Sequence, residues 1–161
     1  MTRIPGRCLS SRRERGVIAV EFAIVATLLT TIVFGATELG RAMVQYDALV
    51  KSARSAARYL AQFNSGDATA QTQARCLAVY GTTTCGNTPL VAGLTTSLVS
   101  IKDAASDPST HAMQRTLPAP NGSLVNLVTV TIAGFQFQSL ASAVVPSFTM
   151  DTISATMPQV N

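Results

Sequence analysis

Residues Arg12–Gly40 read RRERGVIAVEFAIVATLLTTIVFGATELG, and the interpretation of this stretch decides the rest of the fold. Arginines lead into a glycine, and from Val17 to Thr37 the only charge is Glu21. As a helix rising ~1.5 Å per residue, that run spans about 31 Å, the thickness of a bilayer's hydrocarbon core. A lone segment in lipid must satisfy its backbone internally, which it does only as a helix. One membrane pass is therefore predicted. Glu21 is its anomaly, because an unpaired carboxylate at a helix centre costs about 2.5–3.5 kcal/mol on insertion scales, and less toward an interface.

The rest of the composition agrees with a membrane segment. Of 161 residues, 47% are hydrophobic and only 12% charged, about half the usual charged fraction. The length allows one modest folded unit with appendages. The formal net charge of +4 sits in the head, where Arg3, Arg7, Arg12, Arg13 and Arg15 face a single acid, Glu14; the remaining charges nearly cancel. A basic head before an apolar run keeps the N-terminus in the cytoplasm and sends the rest across. Nothing after residue 40 resembles a basic face interleaved with aromatics, so nucleic acid is not an expected partner. A secretory signal peptide shares the basic start, but its apolar core is usually shorter and VFGATELGRA, 33 to 42, offers no clean A-x-A site.

Beyond the span, Leu39, Met43, Tyr46, Leu49 with Val50, Ala53, Ala57, Leu60 and Phe63 recur at three- and four-residue intervals. That pattern predicts an amphipathic continuation of the helix, with Asp47, Lys51, Arg54 and Arg58 on its solvated side. NSGD at 64–67 ends it, and Asp67 N-caps a short helix running through Tyr80, with Ala70, Ala74 and Leu77 on one face and Gly81 terminating it. TTTCGNTP, 82–89, reads as a loop. Leu94–Ile101, Leu124–Ile132 and Phe148–Met157 read as strands, separated by DPST at 107–110, LPAPNG at 117–122 and VVPS at 144–147. The predicted class is α+β: a long N-terminal transmembrane and amphipathic helix, a short helix and a small antiparallel sheet. Its parts are a basic cytoplasmic leader at 1–16, a transmembrane helix at 17–38, an amphipathic extension at 39–64 and an extracytoplasmic α+β domain at 65–161.

The chain has three cysteines. This topology leaves Cys8 in the reducing cytoplasm and puts Cys76 and Cys85 outside, where disulfides persist. Their spacing suits a bond from the short helix to the loop after it, which would contribute on the order of 2–3 kcal/mol; free buried thiols are the other reading. His111, the single histidine, lies in the polar stretch DPSTHAMQ and reads as a solvated loop residue without metal-ligand neighbours. No G-x-S-x-G nucleophile setting and no phosphate loop is present, and the acids are scattered, with only Asp103 and Asp107 close together. Catalysis, cofactors, metals and a small-molecule substrate are accordingly not expected.

Arginines, Gly16, four residues Val17 to Val20, Glu21, the aromatic Phe22 and an apolar helix together resemble the processing signature of type IV pilins and pseudopilins. FGATELGRAMVQYDALVKSARSAARYLAQ resembles the TadE-like branch, minor pseudopilins of the tight-adherence (Flp) pilus, with Phe34, Gly35, Glu38, Gly40, Arg41, Ala53, Arg54, Ala57, Arg58 and Tyr59 in the family's pattern. Strong similarity covers residues 12–62. The resemblance implies a prepilin peptidase cutting between Gly16 and Val17 after the leader charges Arg12, Arg13 and Arg15. Glu21 and Phe22 would then serve assembly with other pilins and the assembly platform. The location implied is the bacterial inner membrane, single-pass, with the C-terminal domain outside. Cleavage would create an ammonium on Val17, one turn before Glu21, and that amine or a neighbouring subunit's would neutralise the carboxylate. Glu21 snorkelling to headgroups is the simpler account of the charge. A bitopic anchored binding or sensory module, with its head uncut, is the alternative function.

Overall fold

The computed structural model describes residues 11–115 and 124–160, and of residues 11–15 and 115 the backbone only. Cys8, the joint at 117–122 and the side chains of Arg12, Arg13 and Arg15 lie outside the described residues. One helix, α1 (Ser11–Leu60), carries both the apolar run and its amphipathic continuation. The chain divides into two compact units, one made of residues up to Gly40 with Ser139–Pro146, the other of Arg41–Gln138 with Ser147 onward.

In the second unit, α1 buries Ala42, Leu49, Ala53, Ala56, Ala57 and Leu60. Leu39, Met43 and Tyr46, expected on the same stripe, are exposed. They lie about a quarter turn from the buried line, because two apolar stripes run side by side along this helix and the alanine-rich one faces the core. The helix ends at Leu60, earlier than the expected NSGD boundary. Gln62 and Phe63 donate to the carbonyls of Tyr59 and Leu60, which tightens the chain out of the helix, and Phe63 packs on Tyr59 with ring centroids 4.8 Å apart.

α2 (Ala68–Tyr80) forms as its termini dictate. Asp67 accepts from the N–H groups of Thr69 and Ala70, and Gly81 takes the left-handed conformation (φ 75°) that closes the C-terminus. Buried Ala70, Ala74 and Ala78 join the alanines of α1 in one core, and Tyr59 Oη donates to Gln73 Oε1 at 2.6 Å. A disulfide between Cys76 and Cys85 ties the following loop to α2. A third, one-turn helix, α3 (Pro108–His111), follows the first strand.

The strands are β1 (Val99–Lys102), β2 (Gln114–Arg115), β3 (Leu124–Val125), β4 (Leu127–Ile132), β5 (Gln136–Phe137), β6 (Phe148–Thr149) and β7 (Ile153–Pro158). β1, β4 and β7 form an antiparallel sheet with β4 central, while β2 pairs with β3 and β5 with β6. β4 alternates as expected of a half-buried strand: Val128, Val130 and Ile132 are buried and the threonines between them less so. Two expected strands are shorter than read. Residues 96–98 of Leu94–Ile101 form a 3₁₀ turn, and Phe148–Met157 is broken in two. The break follows from pairing: β6 bonds to β5 and the Met150 N–H goes to the Phe135 carbonyl, so the chain must turn at Asp151 and Thr152 before β7 reaches β4.

His111 is not the solvated loop residue expected. Pro108 opens α3, and the ring is buried, bonded to Thr110 Oγ1 through Nδ1 and to Thr129 Oγ1 of β4 through Nε2 at 2.9 Å. Asp103 is also buried, and works as a clasp. Its carboxylate accepts from the Gly66, Ala105 and Ser106 N–H groups, the Ser106 hydroxyl and the Gln71 amide, joining the turn after α1, α2 and the turn after β1. Burial pushes this carboxyl up, but the donors from Gly66, Ser106 and Gln71 together outweigh it and hold the group below its ordinary 3.8.

Asp103→Asn should lower unfolding free energy by about 2 kcal/mol, since these bonds go to a charged acceptor. Because the folded value is depressed, the native chain has the full contribution above pH 3.8 and loses it as pH falls through the folded value. Denaturant titrations of the detergent-solubilised chain across acid pH should therefore show a flatter acid limb for the variant than for the parent.

Candidate functional site: the apolar span and its two carboxylates

Val17, Ile18, Val20, Phe22, Ile24, Leu28, Leu29, Ile32 and Val33 are exposed around the first part of α1, which is apolar on all sides rather than on one. Its most apolar stretch reaches a mean hydropathy of 2.4 with none of it buried within the protein. A helix that is apolar all round belongs in lipid or in a bundle, and this one is long enough for a single membrane pass.

The hydroxyls in this run are satisfied within the helix itself. Thr27, Thr30, Thr31 and Thr37 donate to the carbonyls of Ala23, Ala26, Thr27 and Val33, each one turn earlier, at 2.6–2.9 Å. Back-bonding of this kind removes the desolvation cost that a free hydroxyl would meet in hydrocarbon. Glu21 has no such device. Its carboxylate is exposed in a shallow apolar depression with Gly16, Val17, Val20 and Ile24, without a hydrogen-bond or ion-pair partner among the described residues.

The geometry around Gly16 is permissive. α1 runs through this residue, and a Cβ built there would meet nothing within 4 Å, so no packing within the chain calls for glycine. Alanine would even favour the helix by about 1 kcal/mol. Val17 and Glu21 stand one turn apart on the same helix face, and Phe22 projects beside them, 73% exposed.

The far end of the run holds a second carboxylate, treated differently. Glu38 is buried and accepts from the Leu140 N–H at 3.3 Å, while Gly35 lies against Val144. In the other unit, Arg41 donates to the Gln138 carbonyl at 3.4 Å and lies over the Phe137 ring, 5.4 Å from its centroid. The spacing of Glu38 and Arg41 was visible in the sequence. Their task, gripping the chain just after β5, was not. Further along, Ala42, Met43, Tyr46, Phe148 and Met150 line an apolar hollow of about 290 Å³. Among the described residues no group of three or more potential ligands is placed to hold a metal ion.

Residues 16–58 match the family model described as TadE-like protein. The match begins at the glycine of the proposed processing signature and ends beside Tyr59, so the resemblance read from these residues is borne out over that stretch. No curated protein and no solved structure matches the chain.

Glu38→Ala would leave the Leu140 amide without its acceptor. The measurable result is at least a ten-fold faster hydrogen exchange across residues 139–146, about 1.4 kcal/mol for a lost bond to a charged acceptor.

Proposed function

We propose that this chain is a minor pseudopilin of a tight-adherence pilus, processed after Gly16 by a prepilin peptidase and then packed through its apolar helix against other pilin helices. The observation that carries this reading is the contrast inside one span: the threonines are satisfied by their own helix, and Glu21, fifth after Gly16, is left open. A carboxylate so placed has a reason to acquire a cation, because its uncompensated cost near a helix centre is about 2.5–3.5 kcal/mol.

Cleavage supplies that cation. Cutting the Gly16–Val17 peptide bond puts an ammonium on Val17 at the positive end of the α1 dipole, one turn from Glu21. In a bundle, the amine of one subunit and the carboxylate of the same or a neighbouring subunit then neutralise each other, and Phe22 offers an apolar knob beside them. The leader arginines hold the N-terminus on the cytoplasmic side, where the peptidase acts. Leu39, Met43 and Tyr46 continue an exposed apolar line past the span, a surface suited to further helix packing with pilins or the assembly platform. In this reading the chain resides in the bacterial inner membrane with residues 65–161 outside. It is a substrate and a building part, and catalyses nothing itself.

Gly16→Ala tests processing cleanly, since the substitution meets no steric obstacle. N-terminal sequencing of membrane-extracted protein should find the leader retained in the variant and Val17 first in the parent; a variant that still begins at Val17, or a parent that begins near Met1, sinks the processing claim. Glu21→Ala should leave cleavage intact and reduce surface pilus output severalfold. Normal piliation in that variant would remove the assembly role of the carboxylate.

A further inference from the structure

Ser139–Pro146 reads SLASAVVP and belongs to the same compact unit as the apolar part of α1. Val144 rests on Gly35, and Glu38 holds the Leu140 amide. Both α1 residues lie at the end of the run that spans Val17 to Thr37, so the loop is fixed at the level where the helix leaves its apolar stretch. The segment is also unusual in composition: between Arg115 and Asp151 the sequence has no charged residue.

Its backbone is largely satisfied within the unit. Val144 and Val145 donate to the Ala141 carbonyl at 2.8 and 3.0 Å, Ala141 donates to Ser139 Oγ, Leu140 to Glu38, and Pro146 has no N–H to satisfy. Its side chains point the other way in solvation. Leu140 is 81% exposed, and Val144 and Pro146 are exposed as well. A single exposed leucine is unremarkable in water. An uncharged, internally bonded turn that presents Leu140 and Val144 beside the exit of a membrane helix is another matter.

We propose that Ser139–Pro146 is a membrane-interface foot, which seats Leu140 and Val144 in the headgroup and upper acyl region of the leaflet where α1 leaves the bilayer. The proposal rests on reading Val17–Thr37 as a membrane span. Interfacial segments sit about 5–10 Å into the headgroup and acyl boundary, a depth at which the few remaining backbone donors still find water or headgroup oxygens. With no basic residue in the loop, attachment is apolar and does not depend on anionic lipid or on salt. A second contact at this level fixes the depth and tilt of α1, which interfacial anchors control in single-pass helices. Glu38 thereby positions the foot, and the buried carboxylate at the membrane edge has a structural reason.

The chain contains no tryptophan, so a single introduced one reports alone. Full-length Leu140→Trp and Val144→Trp, and separately Val25→Trp within the span, are reconstituted in phosphatidylcholine vesicles with lipids brominated either near the glycerol or deep in the acyl chain. Leu140→Trp and Val144→Trp should emit to the blue, lose about half their emission to the shallow bromines and little to the deep ones, resist aqueous iodide, and stay unchanged in high salt, as an apolar interfacial seat requires. Val25→Trp should be quenched by deep bromines. If Val25→Trp is quenched but both loop variants are quenched by iodide and ignore brominated lipid, the foot is overturned while the span stands. If neither position senses lipid, the span reading has failed and takes the foot with it. Loop variants shielded from iodide yet indifferent to both bromolipids would place a protein there and overturn the lipid assignment.

Discussion

A single helix has to serve in two solvents, and the rest of the molecule follows from that constraint. Along its first part α1 is apolar on every side, which suits surroundings without water; along its second part only the alanine-rich line of Ala42, Leu49, Ala53, Ala56 and Leu60 is buried. Polar groups obey the same division. In the apolar part the threonines fold their hydroxyls back on the helix, whereas Asp47 and Lys51 in the second part form a solvated i, i+4 pair.

The folded unit built on the second half of α1 has little large apolar mass to draw on. Its helix–helix core is made of alanines, and such small side chains allow close approach but bury little area each. Covalent and polar ties make up part of the difference. The Cys76–Cys85 bond limits the loop after α2, Asp103 clasps three turns, and Gln159, buried after β7, is bonded to Ser65 and to the Phe63 carbonyl just past α1. The larger side chains, Phe137, Ile132, Val128 and Val130, come from the strands and complete the same core.

What the sequence made legible were features governed by neighbours along the chain. The apolar run, the Asp67 cap, the Gly81 stop and the alternation of VTVTI each depend on a few consecutive residues, and the structure has all of them. What it concealed depends on distant partners. His111 reads as a loop residue because Thr129, which buries it, is 18 positions away; Glu38 reads as one letter of a motif because its partner Leu140 is 102 positions away. The helix phase was misjudged for another reason: with apolar residues on two adjacent lines, periodicity alone does not say which line meets the sheet. At the candidate site, Gly16 and Glu21 were legible as a pattern, but the self-satisfaction of the threonines, which singles out Glu21, needed coordinates.

The two carboxylates at either end of the span illustrate how polar satisfaction separates folding from assembly. Glu38 is answered within its own chain: it is buried and it orders a loop, so its charge is part of the fold. Glu21 is exposed on a helix that shields every nearby hydroxyl, and its own chain offers it no partner among the described residues. Water removes the cost of such an open charge at a protein surface, but lipid does not. If Val17–Thr37 is embedded, the energetic demand of Glu21 is therefore met from outside the folded monomer, by a new terminus or by another subunit. That demand has a direction. It favours the state in which helices are processed and bundled over the state in which each floats alone, and so a single acid in RRERGVIAVEF couples leader removal to association.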